Sequence, residues 1–325
     1  MPALARVLAA SGALLGCVAG ASALACQAGD EVCAARVGND HVLLQVGGRG
    51  GLEIDNELKT APLLPGGAVK LSAFFWNVHW ECSAAARGAT GNCKQRIGER
   101  FAELAKEADA DVVASIELAD SASQPAEISK YGLPGWKQVD GPCNVGQGGD
   151  TAALAFAPGW EVEKGGGGCL RTDYDTRAFA VARVKPPSPV RGCPSLCVVA
   201  IHAPHTSINA GKDIVQDVCG AAADACGVAM GDWNIPASGV AGLWGALIGG
   251  TPPSLAVPDQ RTCCWPESDH YGIFDHIATS IDGAEHVSQT VHPYQLLEEK
   301  PMKQHRAVSA LLHLPGVASL TSLKS

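Results

Sequence analysis

Val228-Ala229-Met230-Gly231-Asp232-Trp233-Asn234 is a short apolar run that stops at a glycine and then delivers an acid and, two residues later, an amide. An apolar run of this length with turn residues at its end reads as a buried strand. Side chains at the exit of such a strand are held by a rigid scaffold yet open to solvent, which is what a reactive site needs. The same arrangement recurs on either side of it. The run 71–76 ends at Asn77, 112–116 ends at Glu117, 197–201 ends at His202, and His305 directly precedes the run 307–312. Three more runs of strand length lie at 152–156, 178–184 and 273–277. Between them, 96–108 sets Ile97, Phe101, Leu104 and Ala108 at helical spacing on one face, and 207–223 and 239–248 are further helix candidates. Strands mixed with helices predict an α+β or α/β layered domain. The glycine run 165–168 and the proline-rich 186–189 read as loops. No internal repeat is evident.

The chain has 325 residues, 46% of them hydrophobic and 18% charged, which suffices for one large core and argues against disorder. Its formal net charge is −9. A protein that grips polyanions by bulk charge is normally basic. A phosphate substrate would therefore have to be met locally, by a metal and a few cationic side chains.

The strand-end residues form a chemically coherent set. Glu117 and Asn77 offer hard oxygen ligands suited to Mg²⁺, Mn²⁺ or Ca²⁺. His202 and His305 can move protons near neutral pH. Metal, histidine and amide donors together are what phosphodiester hydrolysis requires: charge neutralisation, an activated water and a protonated leaving oxygen. Each residue alone reads equally well as a turn cap, a solvated acid or a packed histidine. Arg177 alone reads as half of an ion pair, and His205 competes with His202. The joint occurrence, in order, carries the argument.

That order resembles the endonuclease/exonuclease/phosphatase family, in its DNase I-like branch. Phe75-Trp76-Asn77-Val78 resembles the family's first motif and the strand from Ala110 to Glu117 its second. Val199-Ala200-Ile201-His202-Ala203-Pro204 resembles the strand-histidine segment, and Gly231-Asp232-Trp233-Asn234 the Gly-Asp-x-Asn motif. Ile273-Phe274-Asp275-His276-Ile277 is similar to the strand whose Asp orients the terminal histidine, and Gln304-His305-Arg306-Ala307-Val308 stands in the place of the closing Ser-Asp-His motif. The resemblance covers about residues 69–313. It implies a DNase I-like four-layer α/β sandwich, two mixed β-sheets with outer helices. By the same resemblance Asn77 and Glu117 hold the metal, and Asp232 and Asn234 position water and phosphate. His202 is the acid toward the leaving oxygen. His305, oriented by Asp275, is the base or a phosphate donor. Arg177 reaches phosphate. One position departs from the pattern: Gln304 stands where the family has Asp, and an amide cannot carry the carboxylate's charge. An intact Ser268-Asp269-His270 lies upstream, on the wrong side of the Asp275 strand, and reads as a loop coincidence.

The resemblance implies a divalent-metal-dependent phosphodiesterase, foremost an endonuclease acting on DNA or RNA. The alternatives are a phosphomonoesterase or a sphingomyelinase-like phosphodiesterase of the same fold, and a binding protein whose catalysis is weakened at Gln304. Aromatic residues are only 5%, and no long aromatic hairpin of the membrane-entering kind is evident, which disfavours a lipid substrate.

Residues 1–25 read as an export signal. Arg6 precedes an apolar stretch, 7–21, too short to span a bilayer, and Ala23-Leu24-Ala25 is a small-x-small cleavage site. The rival reading is a lipid anchor on Cys17, within Leu14-Leu15-Gly16-Cys17. Residues 26–65 read as an N-terminal extension without strand or helix rhythm, 66–315 as the catalytic domain and 316–325 as a tail. Thirteen cysteines less Cys17 leave an even twelve, a disulfide framework for an exported chain. Local loops could close through Cys26/Cys33, Cys82/Cys93, Cys193/Cys197 and Cys219/Cys226. The adjacent Cys263 and Cys264 are expected to take separate partners. No CxxC…CxxC pattern suggests structural zinc.

Overall fold

The computed structural model describes residues 21–25, 32–37, 40–45, 67–78, 93–117, 133–145, 148–171, 176–205, 208, 211–264, 272–293 and 305–317. Two compact units divide the chain, Met1–Pro62 and Leu63–Ser325. In the first, strands β1 (Ala21–Ala25), β2 (Val32–Val37) and β3 (Asp40–Gln45) form an antiparallel sheet in that order. Strands therefore occur where the sequence rhythm predicted none.

The second unit holds two six-stranded mixed sheets. One has the order β14-β15-β4-β5-β7-β6, built from β4 (Ala68–Asn77), β5 (Val112–Ile116), β6 (Lys137–Val145), β7 (Gly148–Phe156), β14 (Glu285–Val291) and β15 (Val308–Pro315). The other has the order β12-β13-β11-β10-β9-β8, from β8 (Glu161–Arg171), β9 (Thr176–Lys185), β10 (Leu196–His202), β11 (Gly227–Asp232), β12 (Ser254–Ala256) and β13 (Asp275–Thr279). Each sheet has one parallel pair at its middle, β4/β5 and β10/β11, and the other pairs are antiparallel. A parallel pair needs a long crossover, here containing helix α1 (Cys93–Glu107) in the first sheet and α2 (Lys212–Cys219) with the single turn α3 (Ala222–Ala225) in the second. Helix α4 (Ala237–Leu247) follows β11.

The two-residue period of the strands sorts side chains into layers. On β4, Leu71, Ala73 and Phe75 face the other sheet and join Val198, Met230, Ile277 and Val308 in the central core. The alternate Phe74 and Trp76 point outward and pack with Ile97, Phe101 and Leu104 of α1. Phe179, Val199 and Ile201 of the second sheet are covered by Val215, Val218 and Trp244 from α2 and α4. Helix, sheet, sheet, helix is the four-layer sandwich that the motifs imply.

The edge strands β6 and β8 were missed by the sequence reading, and glycines 165–168, read as a loop, belong to β8. Their lack of side chains is what places them there. A Cβ on Gly167 would lie 2.3 Å from the Phe179 carbonyl oxygen and 2.6 Å from Gly141 Cα, and one on Gly141 would lie 1.9 Å from the same oxygen. The two sheets thus approach backbone to backbone along one edge, and Cys143–Cys169 bridges it. The local loops expected at Cys193/Cys197 and Cys219/Cys226 do not form. Cys193 pairs with Cys226 and Cys197 with Cys219, because β10 begins beneath α2 and α3 and their cysteines meet across that contact. Cys263 and Cys264 pair with each other, against the expectation of separate partners. Every other cysteine with a described side chain already has a partner. Cys17, Cys26 and Cys82 lie outside the described residues, as do the side chains of Cys33 and Cys93.

Gly141→Ala is expected to lower the urea midpoint by the equivalent of about 2 kcal/mol or more, since no side chain can give way to a new methyl against backbone. Gly242→Ala in α4, where the added methyl meets open space, is expected to be neutral or to stabilise by up to about 1 kcal/mol. Equal midpoints for both variants would show that the sheet edges do not need their glycines.

Candidate active site

The register of the strands assembles the site. In the parallel pair β10/β11, His202 lies opposite Asp232, and in the antiparallel pair β11/β13, Asp232 lies opposite Asp275. Asn77 ends β4 opposite Ile116, and Glu117 follows immediately. The next strand, β7, runs antiparallel to β5, so its beginning, Asp150-Thr151, arrives at the same rim. His305 stands three residues before β15, whose Val308 pairs with Phe75 beside Asn77. Asn77, Glu117, Asp150, His202, Asp232, Asp275 and His305 are all buried.

Two histidine–carboxylate pairs result. His202 Nδ1 lies 2.8 Å from Asp150 Oδ2, and its Nε2 lies 3.1 Å from Glu117 Oε1. His305 Nδ1 lies 3.1 and 3.0 Å from the two carboxylate oxygens of Asp275, and its Nε2 lies 3.6 Å from Asp232 Oδ2. These couples already cross from one sheet to the other, and a further cross-sheet hydrogen bond joins them: Asn77 Nδ2 donates to Asp232 Oδ2 at 3.1 Å. Asp232 Oδ1 accepts from the Asn234 backbone N–H at 2.9 Å, and Asn234 Nδ2 donates to the Ala203 carbonyl at 2.6 Å. Two residues here hold left-handed backbone, Glu117 at φ 54° and Asn234 at φ 52°. Asn adopts it readily, but for Glu it costs of order 1 kcal/mol, and such strain gathers where side-chain direction matters. Trp76 Nε1 donates to the His305 carbonyl at 3.3 Å and steadies that segment.

All eight residues expected at the site meet at this rim. Arg177, second in β9, is near enough for its charge to oppose protonation of His202 and favour ionised Glu117. His205 is exposed, in contrast to buried His202. Gln304 and residues 268–270 lie outside the described residues. Two members were missed. Asp150 holds His202 and also accepts from the backbone N–H groups of Thr151 and Ala178, both at 2.8 Å, the second across the sheets. A strand's exit marks one route to the rim, but an antiparallel neighbour brings its start to the same place. The signal was an acid just before the run 152–156. Thr262 accepts from the N–H groups of Phe274 and Asp275 at 3.1 and 3.2 Å, and its hydroxyl hydrogen bonds the Asp275 carboxylate. Nothing in its local sequence marks it.

Burial raises the Glu117 pKa to about 7, with the His202 charge opposing the rise. For His202, burial opposes protonation, but the Asp150 and Glu117 carboxylates outweigh it and the pKa is raised. His305 follows the same logic with Asp275 and Asp232, reaching about 9. Burial raises the Asp275 pKa, and the His305 charge opposes that rise. Among the described residues Glu117 Oε2 is buried and has no hydrogen-bond partner.

No family model matches this sequence, and no curated protein sequence does. Solved structures do match. An endonuclease/exonuclease/phosphatase from Bacteroides vulgatus aligns with a TM-score of 0.52 at 13% identity, covering 76% of this chain and 99% of that one. A mannosyl-6-phosphatase from Bacteroides thetaiotaomicron gives 0.50 at 15% identity, covering 74% and 99%. The catalytic domain of human Nocturnin, with a bound sulfate, gives 0.50 at 12% identity, covering 75% and 94%. At such identities the likeness is one of fold. The chain has the DNase I-like fold of the endonuclease/exonuclease/phosphatase superfamily.

The linkage sign at this site can be tested in buffer containing a chelator. A group whose pKa is raised on folding binds its proton more tightly in the folded state. For His305 the stabilisation is full below its ordinary 6.5 and is lost as pH rises through about 9. For Glu117 it is full below 4.5 and is lost through about 7. Metal-free stability is therefore expected to fall between about pH 4.5 and about pH 9, and the part of the slope above pH 6.5 to flatten in His305→Gln. A wild-type slope of the opposite sign in denaturant titrations would exclude this protonation scheme.

Proposed function

We propose that the chain is a divalent-metal-dependent phosphoester hydrolase acting on a phosphodiester, DNA or RNA foremost. The observation that carries this reading is the pair of buried histidine–carboxylate couples, His202–Asp150 and His305–Asp275, beside an unpartnered carboxylate oxygen of Glu117. That oxygen and the Asn77 amide suit a hard cation such as Mg²⁺, Mn²⁺ or Ca²⁺, and the buried negative charge favours one. When bound, such a cation neutralises charge on phosphoryl oxygens.

The chain's own residues do the rest. Asp232, held by Asn77 and by the Asn234 backbone, orients the attacking water and takes its proton. His305 keeps its proton at neutral pH because of the flanking carboxylates, and donates it as a hydrogen bond to a phosphoryl oxygen. His202, protonated for the same reason, gives its proton to the leaving oxygen when substrate displaces Glu117 from Nε2. Asp150 fixes the imidazole orientation. Arg177 adds positive charge toward the phosphate, which suits an acidic protein that must attract its substrate locally. Export is part of the proposal: the leader-like 1–25 and the paired cysteines suit an oxidising compartment. Among the described residues no helix is long and apolar enough to cross a membrane.

A panel of plasmid DNA, RNA, sphingomyelin and a sugar phosphate, each with Mg²⁺ and with EDTA, tests the reaction. Hydrolysis of nucleic acid that chelation abolishes is expected. Turnover surviving EDTA would refute the metal requirement, and turnover of the sugar phosphate alone would make the chain a phosphomonoesterase. His202→Ala and His305→Ala are each expected to cost roughly 10²–10⁴-fold in kcat, the usual worth of a positioned proton donor. With His305 as a donor, the rate falls as pH rises through about 9. A rate that climbs over that range would make His305 the base. Loss of all turnover with retained nucleic-acid binding would leave a binding module.

A further inference from the structure

The cysteines at 263 and 264 have no part in the hydrolysis just described, yet they sit on it. Cys264 Sγ lies 3.9 Å from His305 Nε2, and the ligand atoms of Cys263, Cys264 and His305 lie within 4.8 Å of one another. The segment is tied to the site. Cys263 exchanges backbone hydrogen bonds with Gly272, and Arg306 N–H donates to the Thr262 carbonyl at 2.7 Å. Cys263 is buried and Cys264 half-buried.

We propose that, once reduced, Cys263 and Cys264 join His305 in a second metal site, selective for thiophilic cations of the zinc or cadmium type, whose occupancy blocks His305. The separation of Cys264 from His305 is close to what such a site needs, and reduction frees the two sulfurs to move apart. Tetrahedral zinc with sulfur at about 2.3 Å and imidazole nitrogen at about 2.0–2.1 Å separates those atoms by about 3.6 Å, near the 3.9 Å found. His305 is already oriented for it: Asp275 engages Nδ1, which leaves Nε2 facing the sulfurs, the arrangement by which carboxylates set histidine ligands. The soft sulfurs distinguish this site from the hard oxygens of Glu117 and Asn77, which favour magnesium-type ions. The chemistry balances. A phosphine or dithiol reductant supplies two electrons, solvent supplies two protons, and the Cys263–Cys264 bond becomes two thiols. The metal then displaces both thiol protons to solvent, and water fills the fourth position. Binding stands independently of the hydrolase reading, whereas the inhibition rests on it.

The test uses the full chain with Cd²⁺ as probe, read by the ultraviolet thiolate-to-cadmium charge-transfer band. Phosphine-reduced wild type is expected to show the band at one equivalent of Cd²⁺. Unreduced wild type is expected to lack it, and Cys263→Ser and Cys264→Ser reduced in the same way are expected to show a weaker band than wild type, because thiols released from Cys143–Cys169, Cys193–Cys226 and Cys197–Cys219 contribute alike to all three proteins. With Mg²⁺ present, one equivalent of Cd²⁺ is expected to cut nuclease turnover of reduced wild type roughly 10²-fold or more, the worth of His305, and to spare Cys264→Ser. A band as strong in both serine variants as in reduced wild type, or none in reduced wild type, would overturn the proposal. So would equal inhibition of wild type and Cys264→Ser. A band without turnover on any phosphoester would leave the metal site standing and remove the hydrolase.

Discussion

Glu117, Asp150, Asp232 and Asp275 are four carboxylates buried at one rim, and the strand pairing gives none of them room to move away. Buried charge of one sign is costly unless it is paired. The imidazoles of His202 and His305 each bridge two of these acids, which is why both hold their protons tightly. Asn77 spends an amide hydrogen on Asp232, and Thr262 its hydroxyl on Asp275. Glu117 Oε2, by contrast, is buried with no hydrogen-bond partner among the described residues. The proton inventory of the site and its suitability for a metal thus have one origin.

That rim exists only because two sheets are held in a fixed relation. Asp150 reaches across from β7 to the Ala178 N–H of β9, and Asn77 reaches across from β4 to Asp232 of β11. At the far edge, Gly141 and Gly167 let the backbones touch, and Cys143–Cys169 ties them. A disulfide of this kind contributes about 2–4 kcal/mol, chiefly by restricting the unfolded chain. Both histidine couples depend on the sheet relation, because each half of the site is carried by a different sheet.

The strand-end residues were legible because a buried strand announces itself by apolar residues and its exit by the first polar one. That reading located Asn77, Glu117, His202, Asp232, Asn234 and His305 and the eight central strands that carry the sandwich. It failed where the pattern is carried by something other than hydrophobicity. Glycines in β8 looked like a loop because the constraint on them is a neighbour in the other sheet, invisible along the chain. Strands β6, β12 and β14 lie at or near sheet edges, where one face meets solvent and apolar alternation fades.

By itself the sequence determined which residues could do chemistry and that they stand at strand ends, since residue type and a two-residue burial period are local properties. Only the tertiary structure decided which of them meet. Asp150 joins His202 through the antiparallel turn of β7 against β5, and Thr262 supports Asp275 from outside any strand. Cys193 finds Cys226, and Cys197 finds Cys219, rather than their near neighbours. Partnership depends on strand order and register, and those are set by the packing of two sheets against each other, which no local stretch of the chain encodes.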